Sequence, residues 1–196
     1  MLQNNLVNFN IILASGSPRR QNLFKKLNIP FTIKVNKVDE IYPEELKEAE
    51  ITDYLAKLKS KSFKNLSIND LLITSDTIVW FEGKAIGKPK NKKDAFVMLK
   101  KMSGKKHYVF TSIFIKNLSF YKSFNDKTMV EFEKFTDEEI DYYLKEFKPY
   151  DKAGGYGIQD WLGMIGVKRI VGSYYNVMGL PVHKLYKELL LLVKKK

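Results

Sequence analysis

The sequence predicts an α/β fold in which a mixed sheet is flanked by helices, and three observations point there. Short apolar, β-prone runs alternate with segments whose apolar residues recur at helical spacing, and several of those segments begin on a recognisable capping residue. Two long strand-like runs in the second half have the look of antiparallel neighbours rather than parallel ones. The chain has 196 residues, of which 44% are hydrophobic and 13% aromatic, enough to bury a sizeable core. One domain spanning residues 1–196 is expected, with room for two lobes flanking a cleft.

The elements follow in order. Ile11 to Ala14 are apolar and lead into Ser15-Gly16-Ser17-Pro18, where Ser17 suits a helix N-cap and Pro18 the first helical position. Leu23, Phe24 and Leu27 continue that helix, and Asn28-Ile29-Pro30 ends it before a short strand at Phe31 to Val35. After the charged segment from Asp39 to Glu50, Thr52 is read as the cap of a helix reaching about Leu66. A turn at Asn69-Asp70 precedes a strand at Leu71 to Thr74, which passes Ser75-Asp76-Thr77, continues as Ile78 to Phe81 and folds back at Glu82-Gly83 as a hairpin. Asn91 caps a helix carrying Ala95, Met98, Leu99 and Met102, and Ser103-Gly104 stops it. His107 to Ile115 and Phe120 to Phe135 are the two long strands. Thr136 and Glu139 form a capping box for a helix to Phe147. Seven of the eleven glycines lie between Gly154 and Gly179, which reads as a loop-rich, functional stretch ahead of Pro181 and an apolar C-terminal helix.

Composition narrows the chemistry. The absence of cysteine removes disulfides, cysteine-zinc sites, iron–sulfur clusters and thiolate nucleophiles together. His107 and His183 lie far apart and are expected to serve packing or capping, so carboxylates are the better proton acceptors. No run approaches the roughly 20 apolar residues that span a bilayer, and Met1 to Ala14 lacks the basic charge of a signal peptide, so a cytoplasmic protein is expected. The net charge of +12 suits nucleic acid, an anionic surface or a small polyanionic substrate without choosing among them. Only three of the 34 basic residues are Arg, which makes the adjacent Arg19 and Arg20 conspicuous, because a guanidinium grips phosphate or carboxylate with two parallel hydrogen bonds.

In Ser15 to Arg20, free backbone N–H groups, a positive helix end, two hydroxyls and two guanidiniums converge, an arrangement that suits an anion; the plainer alternative is a turn with exposed arginines. The terminal Gly-Lys-Ser/Thr of a P-loop is missing. Asp76 follows an apolar strand, where a carboxylate can bind a divalent cation or deprotonate water, or serve only as a turn residue. Glu40 is its candidate partner, since magnesium and manganese sites combine carboxylates with substrate phosphates. Lys59 is a further candidate, and Lys88 is held out between Gly87 and Pro89. Gln159, which closes a glycine-rich segment, could read a base edge through its paired donor and acceptor.

Taken together, "LASGSPRRQNLF", "SDTIVWFEGKAIGKP", "AFVMLKKMSGKKHYVFTS", "YDKAGGYGIQ" and "GSYYNVMGLP" resemble the Maf family of septum-formation-inhibitor-like nucleoside triphosphate pyrophosphatases, over nearly the whole chain and in the family's order. The resemblance implies a mixed α/β structure with two lobes around a deep cleft, similar to inosine triphosphate pyrophosphatases. It also implies a divalent metal cofactor, magnesium or manganese, and hydrolysis of a nucleoside triphosphate to monophosphate and pyrophosphate. By motif, Asp76 would be the general base and a metal ligand, Glu40 a metal-associated acid, and Ser15, Arg20, Lys59 and Lys88 the polyphosphate contacts. Lys59 matches through Leu55-Ala56-Lys57-Leu58-Lys59, close to the family's Leu-Ala-x-x-Lys. Arg19, Thr77 and Gln159 match the triplet of the dTTP/UTP branch, whereas the 7-methylguanosine triphosphate branch typically has Trp at the first of these positions. A homodimer is also implied. Two departures bear on substrate choice: Lys148 stands where the family usually has Glu, and Asp160-Trp161-Leu162-Gly163 replaces a smaller, glycine-rich stretch.

On this expectation water attacks the α-phosphorus, Asp76 takes its proton directly or through the metal, and metal, Lys and Arg neutralise the triphosphate. The rival reading is a basic nucleic-acid-binding or cell-division regulatory protein without catalysis, served by lysines interleaved with aromatics such as Tyr142-Tyr143 and Tyr174-Tyr175. The lysines are distributed without an ordered aromatic motif, so specific recognition of nucleic acid is not expected.

Overall fold

β1 (Asn10–Leu13) pairs in parallel with β2 (Thr32–Ile33) on one side and with β3 (Asp70–Phe81) on the other. Ile11, Ile12 and Leu13 are accordingly apolar without a break and fully buried, as a parallel strand covered on both faces requires. The structure, a computed structural model, describes residues 2–194. Its strands form one sheet in the order β2-β1-β3-β5-β6-β7, with β4 beside β3. The chain divides into two compact units. The first runs through Asp76 and includes Thr111–Asp126 and the chain from Gly179 onward; the second comprises Thr77–Phe110 and Lys127–Met178.

In the first unit α1 (Leu2–Asn5) packs on α8 (Val182–Lys194), whose Leu185 and Leu189 are fully buried. α2 (Pro18–Lys26) starts as expected, with Ser17 accepting from the Arg20 N–H and Leu23 and Phe24 turned inward. β2 is shorter than the expected Phe31 to Val35: it lies at the sheet edge, both its residues are exposed, and only one side offers a ladder. α3 (Ala49–Lys61) corrects another expectation. Thr52 is not its cap but a buried residue within it, whose hydroxyl donates to the Ala49 carbonyl and lies 2.6 Å from Ser112 Oγ; the residue before the helix is Glu48, at φ +49°. The helix also stops short of Leu66, because the Ser62 hydroxyl donates to the Lys59 carbonyl and closes the last turn.

In the second unit β3 turns through Glu82 and Gly83, both at positive φ, into β4 (Lys84–Ile86), which is the two-residue hairpin geometry that twisted strands favour. Asn91 accepts from the Asp94 N–H to start α4 (Lys92–Met102). β5 (Lys106–Lys116) and β6 (Tyr121–Phe132), the long strands, each have part of their length in either unit, and Phe135, expected at the end of the second, lies beyond it and packs in the core. The Thr136–Glu139 capping box opens α5 (Asp137–Phe147). The glycine-dense stretch is more ordered than a loop: it carries a 3-10 turn at Ala153–Gly155, α6 (Trp161–Gly166), β7 (Val167–Val171, antiparallel to β6) and α7 (Tyr174–Val177). Its glycines serve close packing, since a Cβ on Gly163 would run into the Ile158 carbonyl and one on Gly166 into the Phe135 ring. Val79, Leu99, Met102, Phe132 and Tyr143 are central to the core of this unit. No helix among the described residues is long and apolar enough to cross a membrane.

Candidate active site

Asp76 lies within β3, which runs unbroken for 12 residues through Ser75-Asp76-Thr77 to Phe81 as the sequence suggests, rather than at a strand end; this also excludes the turn-residue alternative. Its side chain is 6% exposed, and Oδ1 accepts from Lys59 Nζ at 2.5 Å. The same ammonium lies 2.9 Å from Oε1 of Glu40, which comes from the long connection between β2 and α3 and is about half exposed. One cation thus sits between a buried carboxylate and an open one. α3 selects Lys59 for this place: Lys57 and Lys61 are exposed, and Lys57 stands 6.0 Å over the Tyr121 ring instead.

Arg20, from the first turn of α2, donates through Nε to the Gly179 carbonyl at 2.7 Å and through Nη1 to the Ser75 carbonyl at 3.0 Å. These two bonds fix the guanidinium plane beside the backbone that carries Asp76. Burial pushes the Asp76 carboxyl above the ordinary carboxylate range, while Lys59 and Arg20 pull it back and Glu40 adds to the rise. Burial lowers Arg20, with Asp76 opposing that and neighbouring Arg19 reinforcing it.

Ser15, directly after β1, is buried, and its Oγ accepts from the Ser17 N–H at 3.2 Å. Gln21 Nε2 donates to the Ser15 carbonyl at 2.9 Å, so side chains as well as α2 brace this turn. Arg19 is half-buried. A cavity of about 570 Å³ between Lys34–Asn36 and Ser62–Asn65 also belongs to this unit, and no expected site residue lines it.

Thr77, Lys88 and Gln159 belong to the second unit. Thr77 is half-buried on β3; Lys88 and Gln159 are exposed. The Gly87 carbonyl beside Lys88 accepts from the Gly154 N–H at 2.9 Å, which ties the Lys88 turn to the glycine-rich segment ahead of Gln159. The structure therefore gathers Asp76, Glu40, Lys59 and Arg20, with Ser15 and Arg19 in the same unit, and holds Lys88 and Gln159 on linked segments of the other. The carbonyls of Ser75 and Gly179 were not visible as partners in the sequence, since main-chain acceptors leave no trace in residue type.

Among the described residues no group of three or more His, Cys, Asp or Glu side chains is placed to hold a metal. Asp76 and Glu40 are nonetheless two hard-oxygen donors already arranged about one positive charge, and a magnesium or manganese ion completed by phosphate oxygens suits such a pair.

Comparison with known proteins adds the family. A model of Maf-like proteins matches residues 10–192, through both units. The dTTP/UTP pyrophosphatase of Christiangramia forsetii is 54% identical over 190 residues, covering 96% of this chain and 97% of that one. Those of Flavobacterium johnsoniae and Bacteroides thetaiotaomicron are 52% identical over 98% of this chain and 100% of theirs, and 46% identical over 94% and 97%. The solved structure of the Staphylococcus aureus Ham1 protein aligns with 63% of this chain and 71% of its own at 17% identity and a TM-score of 0.46, too distant to inform the site. Motif order, the near-complete family match and the full-length relatives agree: this chain belongs to the Maf family.

Proposed function

We propose that this protein hydrolyses nucleoside triphosphates, dTTP and UTP by preference, to the monophosphate and pyrophosphate. The single observation that carries the reading is the buried Asp76 carboxylate in contact with Lys59 beside Glu40, with Arg20 fixed next to it. That is a base surrounded by the positive charge a triphosphate needs.

Asp76 accepts the proton of the water that attacks the α-phosphorus, and its burial leaves it more basic than a solvated carboxylate. Lys59 and Arg20 offset charge on the phosphate chain, with Ser15 at the head of α2 adding a hydroxyl. A divalent cation, magnesium or manganese, would be held by Asp76 and Glu40 and would supply Lewis acidity and charge neutralisation there. Lys88 as a phosphate contact, and Arg19, Thr77 and Gln159 as contacts that select a pyrimidine, rest on their family motifs. A homodimeric state rests on the family resemblance, and a cytoplasmic site of action belongs to the same proposal.

Asp76→Asn keeps the shape of the side chain and removes the base, so turnover should fall by about a hundredfold to ten-thousandfold. The measurement is pyrophosphate and monophosphate release from a panel of nucleotides with magnesium, with manganese and without metal, alongside circular dichroism. Undiminished release by a folded Asp76→Asn protein would overturn the proposal.

A further inference from the structure

Gln159 is exposed, yet the segment before it, Gly154 to Ile158, is buried throughout, and Asp160 after it is half-buried. The segment is pinned at successive points. Gly154 takes φ +71° with Val79 only 2.9 Å from where a Cβ would stand, which leaves room for glycine alone. Tyr156 Oη lies 2.7 Å from His107 Nε2. The Gly157 N–H donates to Tyr143 Oη at 3.0 Å, and the same hydroxyl donates to Asp160 Oδ2 at 2.9 Å. Lys152 Nζ stands 3.6 Å from that carboxylate oxygen.

Tyr143 is a fully buried residue of α5, stacked on Phe147. As packing, its ring alone would serve. The hydroxyl does something a Phe could not: it accepts from residue 157 and donates to residue 160, bracketing the one exposed polar side chain between them. Gly157 is drawn in so tightly that a Cβ there would collide with the Asp160 carboxylate. Asp160, the first residue of the stretch in which this chain departs from the family pattern, thus has its partners in Tyr143 and Lys152.

We propose that Tyr143 and Asp160 are positioning residues that set the register of Gln159 and through it the choice among nucleoside triphosphates. This rests on the reading of Gln159 as a nucleobase contact. Removing the hydroxyl leaves a buried N–H without its acceptor and the Asp160 carboxylate with Lys152 alone, and the segment relaxes where Gln159 is mounted.

The test is steady-state kinetics with dTTP, UTP, dCTP and dGTP on Tyr143→Phe, Asp160→Asn, Asp160→Ala and Gln159→Ala, with Thr136→Ala as a variant that weakens α5 at its cap. Tyr143→Phe should raise KM for dTTP about tenfold, near the effect of one hydrogen bond, and erode the preference for dTTP over dGTP, with kcat within about threefold. Asp160→Ala should match it, while Asp160→Asn, which still accepts from Tyr143, stays near wild type. Thr136→Ala should lower Tm without moving KM. If Tyr143→Phe lowers Tm and leaves KM and preference unchanged, its role is structural and the proposal falls. If Gln159→Ala shifts the preference and neither Tyr143→Phe nor Asp160→Ala does, positioning alone is refuted. If Gln159→Ala shifts nothing, the nucleobase reading fails and takes the proposal with it. Should Tyr143→Phe not fold, Asp160→Ala reads the same contact from its half-buried end.

Discussion

At His107 a single ring carries a pH dependence. It is fully buried against Phe132 and Tyr156, and burial lowers its pKa to about 4. Above pH 6.5 the ring is neutral in both folded and unfolded chains. Below that the unfolded chain takes up the proton first, so stability is lost as pH falls from about 6.5 towards 4. By pH 5 this amounts to roughly 2 kcal/mol. Urea unfolding at pH 7 and pH 5 should show that loss in the wild type and a flatter response in His107→Gln; equal slopes would mean that the buried ring is not held neutral. The sequence was enough to assign His107 to packing or capping, and its full burial shows packing. Its partner Tyr156 stands 49 residues away and is set by the tertiary fold. Lys59 was singled out by its Leu-Ala-x-x-Lys motif, but its contact with Asp76 and Glu40, where Lys57 and Lys61 stay exposed, is set by the tertiary fold.

Among the elements, local chemistry was legible and distant chemistry was not. The caps at Ser17, Asn91 and Thr136 were readable because each bonds within its own first turn. Thr52 was misread because its hydroxyl is claimed by Ser112, 60 residues on, and the unbroken length of β3 places Asp76 inside a strand rather than at its end. The glycine-dense stretch looked like loop because glycine signals freedom, whereas here it signals lack of room. Gly163→Ala in α6 should therefore cost about 3 kcal/mol, since the added methyl meets the Ile158 backbone, which cannot swing aside as a side chain would. Gly83→Ala, at φ +77° with nothing within 4 Å, should cost about 1 kcal/mol from conformation alone. Equal midpoint shifts for the two variants in urea would refute the packing account of α6.

For the molecule as a whole, the fold class and the family were legible from motif order, while the allotment of site residues to two units was not, because the chain enters and leaves each unit more than once. The excess of 12 positive charges had suggested an anionic partner, but the informative cation is one that the chain keeps for itself. Lys59 acts as a tethered counterion shared by Asp76 and Glu40, so part of their negative charge is already offset in protein stripped of metal. Treatment with a chelator should leave the melting temperature of the wild type where it was. In Lys59→Met the two acids lose that internal charge, and folding should come to depend on what the buffer supplies: added magnesium should raise the midpoint by roughly 3 °C per kcal/mol of cation binding. A melting curve of Lys59→Met that ignores magnesium would show that the pair has no call on a divalent ion. A charge that the chain itself carries thus holds the two acids side by side.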